Sequence, residues 1–226
     1  MKKLSVFAGV VGGIALAGSA SAALQSLSME LVNSGSEGNS YRLYANVDAG
    51  ARIDAVYGNA QGALLVAAAN GASVYHNANG GPTSKEINSN FFAFVPSMEW
   101  DSYVSIGALY QDGNPFGSNN LNNIGVDWAA WEGGGDLFAD NGSWFVTPDD
   151  AQGAEQNGQV FLGQFTVQGG NGDASDLVGQ LNLQGKDAGG ETWNAIGASW
   201  GGEVPAPGAL ALLGLAGIAG RRRRRG

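Results

Sequence analysis

The chain contains no cysteine. That absence removes disulfides, thiol catalysis, thiolate-bound zinc and iron–sulfur chemistry together. Histidine is nearly missing too: His76 is the only one in 226 residues. A multi-histidine metal site is therefore excluded, and any metal site would be all-oxygen, which favours Ca²⁺ over transition metals. Positive charge is scarcer than the totals suggest. Of 11 Lys and Arg, Lys2 and Lys3 open the chain and five arginines close it. Only Arg42, Arg52, Lys85 and Lys186 remain between them, against all 20 acids, a balance of −16 over the body. Such a surface repels DNA, RNA and anionic lipid, so no nucleic-acid partner is expected. Helical stripes are lacking as well: no twelve-residue stretch of the body keeps a clean 3.6-residue period.

What is present begins with two unusual ends. "MKKLSVFAGVVGGIALAGSASA" has a basic start, an apolar stretch from about Leu4 to Ala17, and small residues at Ala20 and Ala22. This is the form of an exported protein's signal peptide (residues 1–22), with signal peptidase expected to cut between Ala22 and Ala23. At the other end, "EVPAPGALALLGLAGIAGRRRRRG" places two prolines, a short oily run and five arginines in order. The run from Ala209 to Gly220, as a helix, reaches about 18 Å, short of a hydrocarbon core of roughly 30 Å. Its five large aliphatics contribute only a few kcal/mol to insertion, while the arginines hold the segment at an anionic inner leaflet with the body outside. Transient inner-membrane association is the expectation.

The order Pro205-Ala206-Pro207, short apolar helix, then Arg221, Arg222, Arg223, Arg224 and Arg225 resembles the PEP-CTERM sorting signal of Gram-negative and planctomycete-like bacteria. The resemblance covers residues 203–226, and Ala206 stands where that signal usually carries Glu. It implies an exosortase-type membrane protease as processing partner and delivery of the body to the cell surface or an extracellular polysaccharide matrix. It implies no catalytic activity. Stretches such as "DNGSWFVTPDDAQG" and "GQVFLGQFTV" resemble, more faintly, uncharacterised β-rich domains that accompany such tails.

The body, residues 23–200, reads as one domain of eight to ten short strands. "SLSMELV", "YRLYANV", "ARIDAVYG", "NFFAFVP", "SYVSIGALY", "SWFVTP", "QVFLGQFTV" and "LVGQLNLQG" are short apolar or alternating runs between Gly, Asn, Asp and Pro. In the second, Tyr41, Leu43, Ala45 and Val47 share a face opposite Arg42, Asn46 and Asp48. In the seventh, strict alternation puts Val160, Leu162 and Gln164 on one side and Phe161, Gly163, Phe165 and Val167 on the other. "AQGALLVAAAN" fits strand or helix. The fold class expected is all-β, an antiparallel β-sandwich or jelly roll. The Asn- and Gly-rich stretch Gln111–Asn141 is long for a structureless loop, so a functional or ion-bound role is expected there.

Several motifs carry candidate chemistry. "GASWG", Gly197–Gly201, matches the hydrolase nucleophile elbow, but no histidine follows it, and it reads as a Gly-rich strand end. "NGDASD" (Asn171–Asp176) and "DGNPFG" (Asp112–Gly117) look like fragments of Ca²⁺ loops or ordinary turns. "DWAAWEGGG" is the better lead: Trp128 and Trp131 flanked by Asp127 and Glu132 have the makings of a sugar-stacking platform, although Trp in a β-domain is more often simply core, and core burial is the leading reading. Trp100 beside Asp101 is a second such pair. With 20 acids on a small surface, a carboxylate pair at glycosidase spacing arises by chance. "NGS" at Asn141–Ser143 has the N-glycosylation pattern, of little weight in a bacterial protein. No catalytic residue and no resident cofactor are expected. The role expected is non-enzymatic and structural or polymer-associating, with a carbohydrate-binding module, calcium-dependent or not, as the alternative and a carboxylate-pair glycosidase behind it.

Overall fold

A computed structural model describes residues 23–201. The signal peptide and the sorting tail, including Ala22, Pro205, Ala206, Pro207 and the five arginines, lie outside the described residues. Within them the chain is all-β: twelve strands and one short α-helix. β1 (Leu24–Gly35) and β2 (Gly38–Val47) form a hairpin. β3 (Arg52–Gly58), β4 (Leu64–Ala68) and the two-residue β5 (Ser73–Val74) and β6 (Tyr103–Val104) follow. β7 (Asn122–Ile124), α1 (Trp128–Glu132), β8 (Leu137–Ala139) and β9 (Gly142–Phe145) occupy the Asn/Gly-rich stretch and its exit. Three long strands close the body: β10 (Gln159–Gln168), β11 (Leu177–Lys186) and β12 (Thr192–Trp200).

The strands form two antiparallel sheets. The first runs β1-β2-β10, with β5 and β6 one after the other along the far edge of β10. The second has β11 at its centre, with β12 on one edge. On the other edge β3 and β4 pair with successive stretches of β11, so they are one strand interrupted by the excursion 59–63. β9 and β8 pair with β3 and β4 in turn and are interrupted at the same level. These breaks explain why twelve strands appear where eight to ten are expected. At the break Gly58 is required for close approach, because a Cβ there would run into the Ala139 carbonyl oxygen.

The inner faces of both sheets feed one core. Tyr41, Leu43, Ala45 and Val47 enter it from β2, as alternation requires, and meet Ile53, Val56, Leu64, Leu181, Leu183 and Trp193 from the second sheet. On β10 the expected faces hold only for its first half. Leu162 has no partner on β2, since Phe161 pairs with Tyr44 and Gly163 with Leu43. This bulge inserts one residue and reverses the parity. Val160 and Leu162 therefore share the core with Phe165 and Val167, while Gln164 turns to the opposite side.

A second, smaller cluster of Ile87, Tyr103 and Phe161 lies on the outer face of the first sheet. It is covered by the long excursion between β5 and β6 and by the residues after β6. Here "NFFAFVP" is not a strand: Ser89–Phe91 and Pro96–Trp100 are 3₁₀ turns. "ALLVAAA", by contrast, resolves as strand.

Candidate functional site

α1 is a single five-residue turn, capped by the Asp127 carboxylate, which accepts the Ala130 N–H at 3.0 Å. The i, i+3 spacing sends its two tryptophans toward the protein rather than away from it. Trp131 is 0% exposed and belongs to the main core, the leading of the two roles weighed for it, so it drops out of the candidate sugar-stacking platform. It touches Phe165 of the first sheet at 6.3 Å between ring centres and Trp128 at 6.0 Å; Trp128 reaches Trp144 of the second sheet at 6.4 Å. The tandem tryptophans thus bridge the two sheets. Trp128 is half-buried and its indole N–H donates to Asn123 Oδ1 at 3.0 Å. Only Trp128 and Glu132 keep part of the expected platform's character, since Asp127 is engaged as a cap. Glu132 is exposed; its carboxyl sits above the usual range through partial burial, with Glu86 adding to the effect.

His76 packs edge-on against Trp131, ring centres 4.7 Å apart and planes at 87°. Its Nε2 is buried without a hydrogen-bond partner, and burial holds the imidazole below its ordinary pKa. That is an aromatic packing role. Ser199 of "GASWG" lies exposed on β12 opposite Gln180, so the motif is the expected strand end with no elbow. Gly197 there has φ of +70°, accommodating an extra residue in β12 and directing its N–H to Asn182 Oδ1 at 2.9 Å.

Two buried carboxylates organise loops. Asp101 accepts backbone N–H bonds from Asn77 at 2.8 Å, Ser102 at 2.8 Å and Gly81 at 3.1 Å. Burial nevertheless pushes its carboxyl up to about 7, the donors opposing but not cancelling it. Asp176, in the Ca²⁺-like "NGDASD", accepts the N–H groups of Asn171 at 2.9 Å, Gly172 at 2.6 Å and Asp173 at 3.3 Å, and the Asn70 amide at 3.1 Å. Four donors fill both oxygens, and these bonds lower its pKa. In "DGNPFG", Asp112 Oδ1 likewise accepts the Asn114 N–H at 2.9 Å. In both loops the carboxylate oxygens are engaged by protein donors, Asp112 Oδ2 by the Ser89 hydroxyl at 3.3 Å. Among the described residues no group of three or more His, Asp or Glu side chains is disposed to hold a metal ion. Saturating Ca²⁺, or EDTA, is accordingly expected to move the melting temperature by less than about 1 °C; a rise of several degrees with Ca²⁺ would show a site.

Side-chain amides hold the Asn/Gly-rich stretch. Gln152, fully buried, accepts the Asn120 N–H at 2.7 Å and donates to the Ile106 carbonyl at 2.6 Å and Asn119 Oδ1 at 3.3 Å. Asn119 in turn donates to Ser84 Oγ and the Tyr110 carbonyl at 2.9 and 3.0 Å. These bonds stand in for a strand ladder.

One feature gave no clear sequence signal. On the outer face of the first sheet, Phe94 is 81% and Phe91 52% exposed. Phe92 between them packs edge-on against Tyr110, ring centres 5.2 Å apart, and the Tyr110 hydroxyl accepts from Arg42 Nη2 at 3.3 Å. Three Phe in "NFFAFVP" suggested a buried strand; their placement on a turn is what exposes two of them. No family, curated protein or solved structure matches the chain.

Proposed function

We propose that this is an exported, non-enzymatic protein whose β-sandwich body is delivered to the cell envelope or extracellular matrix and associates there with polymer. The observation that carries the reading is the ordered tail, Pro205-Ala206-Pro207, twelve oily residues and Arg221–Arg225, behind a body of balance −16. The sandwich reading is supported by two sheets sharing one core, and the pairing of β2 with β10 across more than a hundred residues suits a Greek-key or jelly-roll winding. Signal peptidase and an exosortase-type protease are the processing partners, and membrane association is transient. Among the described residues no helix is long and apolar enough to cross a membrane.

The intact mass of protein recovered from the surface of producing cells tests this. It is expected to correspond to a chain that starts at Ala23 and lacks Arg221–Arg225. Surface material retaining those arginines, or a cytosolic pool of unclipped chain, would overturn the reading. A carbohydrate-binding module is the form of polymer association that the exposed aromatic rings favour.

A further inference from the structure

We infer that the outer face of the first sheet carries a binding strip for a neutral polysaccharide, formed by Phe91 and Phe94 and continued through Tyr110 and Arg42 toward Tyr44. The inference rests on the polymer-association reading above and places that association on a specific face.

Three features distinguish this strip from incidental exposure. First, the backbone that carries its rings is held by hydrogen bonds. The Asn88 side chain accepts the Asn90 N–H at 3.1 Å, and the Phe91 carbonyl accepts both Phe94 N–H at 2.9 Å and Val95 N–H at 2.8 Å. Phe92 anchors the turn on Tyr110, so the backbone that presents Phe91 and Phe94 has little conformational freedom left to lose. Second, Arg42 is poised as a donor. It is half-buried, and the described salt bridges, Arg52–Asp54 and Lys186–Asp149, do not include it. It spends its bonds on Gln164 Oε1 and the Tyr110 hydroxyl, both at 3.3 Å, out of five N–H donors. Third, Tyr103, within electrostatic reach of Arg42, is fully buried with a hydroxyl that has no hydrogen-bond partner. An unsatisfied buried hydroxyl within the field of a guanidinium that has N–H donors to spare is an unfinished polar network.

The chemistry selects the occupant. Aromatic faces cover the apolar faces of pyranose rings, while Arg42 donates to sugar hydroxyls and Glu99, whose charge helps to raise the pKa of the Tyr110 phenol, accepts from them. A body of balance −16 disfavours uronate polymers and anionic membranes. A protein partner would need roughly 800 Å² on this side, whereas only two large apolar side chains stand out here.

Affinity electrophoresis of the processed protein from producing cells is the test. The gels contain dextran, soluble starch, hydroxyethylcellulose or the neutral fraction of those cells' extracellular polysaccharide. Alginate gels and phosphatidylglycerol vesicles serve as parallel arms. Retardation by at least one neutral polymer is expected, weakened about tenfold in Phe91→Ala/Phe94→Ala and less in Phe94→Ala alone, with Trp128→Ala unaffected. Phe94 is too exposed for its removal to unfold the chain, so the single variant separates binding from folding. No retardation by any neutral gel, unchanged binding of the Phe variants, or preference for alginate or vesicles would overturn the inference. Correctly clipped surface protein that fails to bind would leave the export reading standing, whereas unclipped cytosolic protein would remove that reading whatever the gels show.

Discussion

Replacing Trp131 by alanine is expected to cost about 3–5 kcal/mol of stability, the range for a fully buried aromatic truncation. A domain of this size has roughly 5–15 kcal/mol in total, so the variant should be marginal at best. The size of the effect comes from position. Trp131 sits where the two sheets meet, against Phe165 on one side and, through Trp128, against Trp144 on the other. A five-residue helix cannot collapse into the hole, because the Asp127 cap fixes its start and Gly133 ends it with an N–H bond to the Ala129 carbonyl. The indole N–H has no partner, so its loss orphans nothing and the cost is packing. Trp128→Ala, with its ring half in solvent, should cost about half as much or less. Urea unfolding of the two variants checks this. A loss below about 1 kcal/mol for Trp131→Ala would mean that the ring does not seal the core, and would return it to the role of an exposed platform.

Alternation carried the fold as far as the chain was regular. β2 obeys it throughout, so Tyr41, Leu43, Ala45 and Val47 were legible as core from the sequence. β10 defeats it at Leu162, because a bulge is a cross-strand event with no local signature beyond Gly163. "NFFAFVP" has strand composition, yet it lies outside the sheets in a segment where Asn88 and Pro96 favour 3₁₀ turns. Local preference lost there to tertiary placement, and with it the exposed Phe91 and Phe94 were missed.

The candidate sites were legible in kind rather than in role. "DWAAWEGGG" does mark an organising aromatic element, but helical spacing turns Trp131 inward, a geometry that pattern alone cannot assign. The Ca²⁺-like spacing of "NGDASD" is real, and so is the reason it reads as a turn: Asp176 spends its oxygens on neighbouring N–H groups, the same chemistry by which Asp and Asn shape turns. Arg42 was visible as one of four cations and as a residue on the face of β2 opposite the core; its setting among three tyrosines, outside the described salt bridges, was not.

Stability is expected to fall as pH rises from about 4 to about 7, and Asp101 is the group responsible. Its carboxyl, at about 7 in the folded protein against 3.8 for the free side chain, takes up protons more readily folded than unfolded. Below 3.8 both states are protonated and the group contributes no difference. Between 3.8 and 7 the unfolded chain ionises while the folded one resists, so unfolding becomes easier with each step up in pH. Above 7 both are ionised and the curve flattens, with a total effect of up to about 4 kcal/mol at 1.36 kcal/mol per pH unit. The cause is burial, with the Glu132 carboxylate adding to it: among the described residues no cation forms a salt bridge with Asp101, and its three backbone donors stabilise the ionised form too little to offset desolvation. Asp176 works in the opposite sense, its lowered pKa adding stability above the ordinary carboxylate range that is lost on acidification. The combined profile should therefore peak at mildly acidic pH. Asp101→Asn should be less stable at low pH, since its amide meets the Gly81 N–H donor to donor, but the decline between pH 4 and 7 should vanish. Chemical denaturation of both proteins across pH 3–8 measures the difference. A wild-type decline that persists unchanged in Asp101→Asn would show that another group carries the slope, and a wild-type curve rising to neutrality would show that the three N–H donors outweigh burial after all.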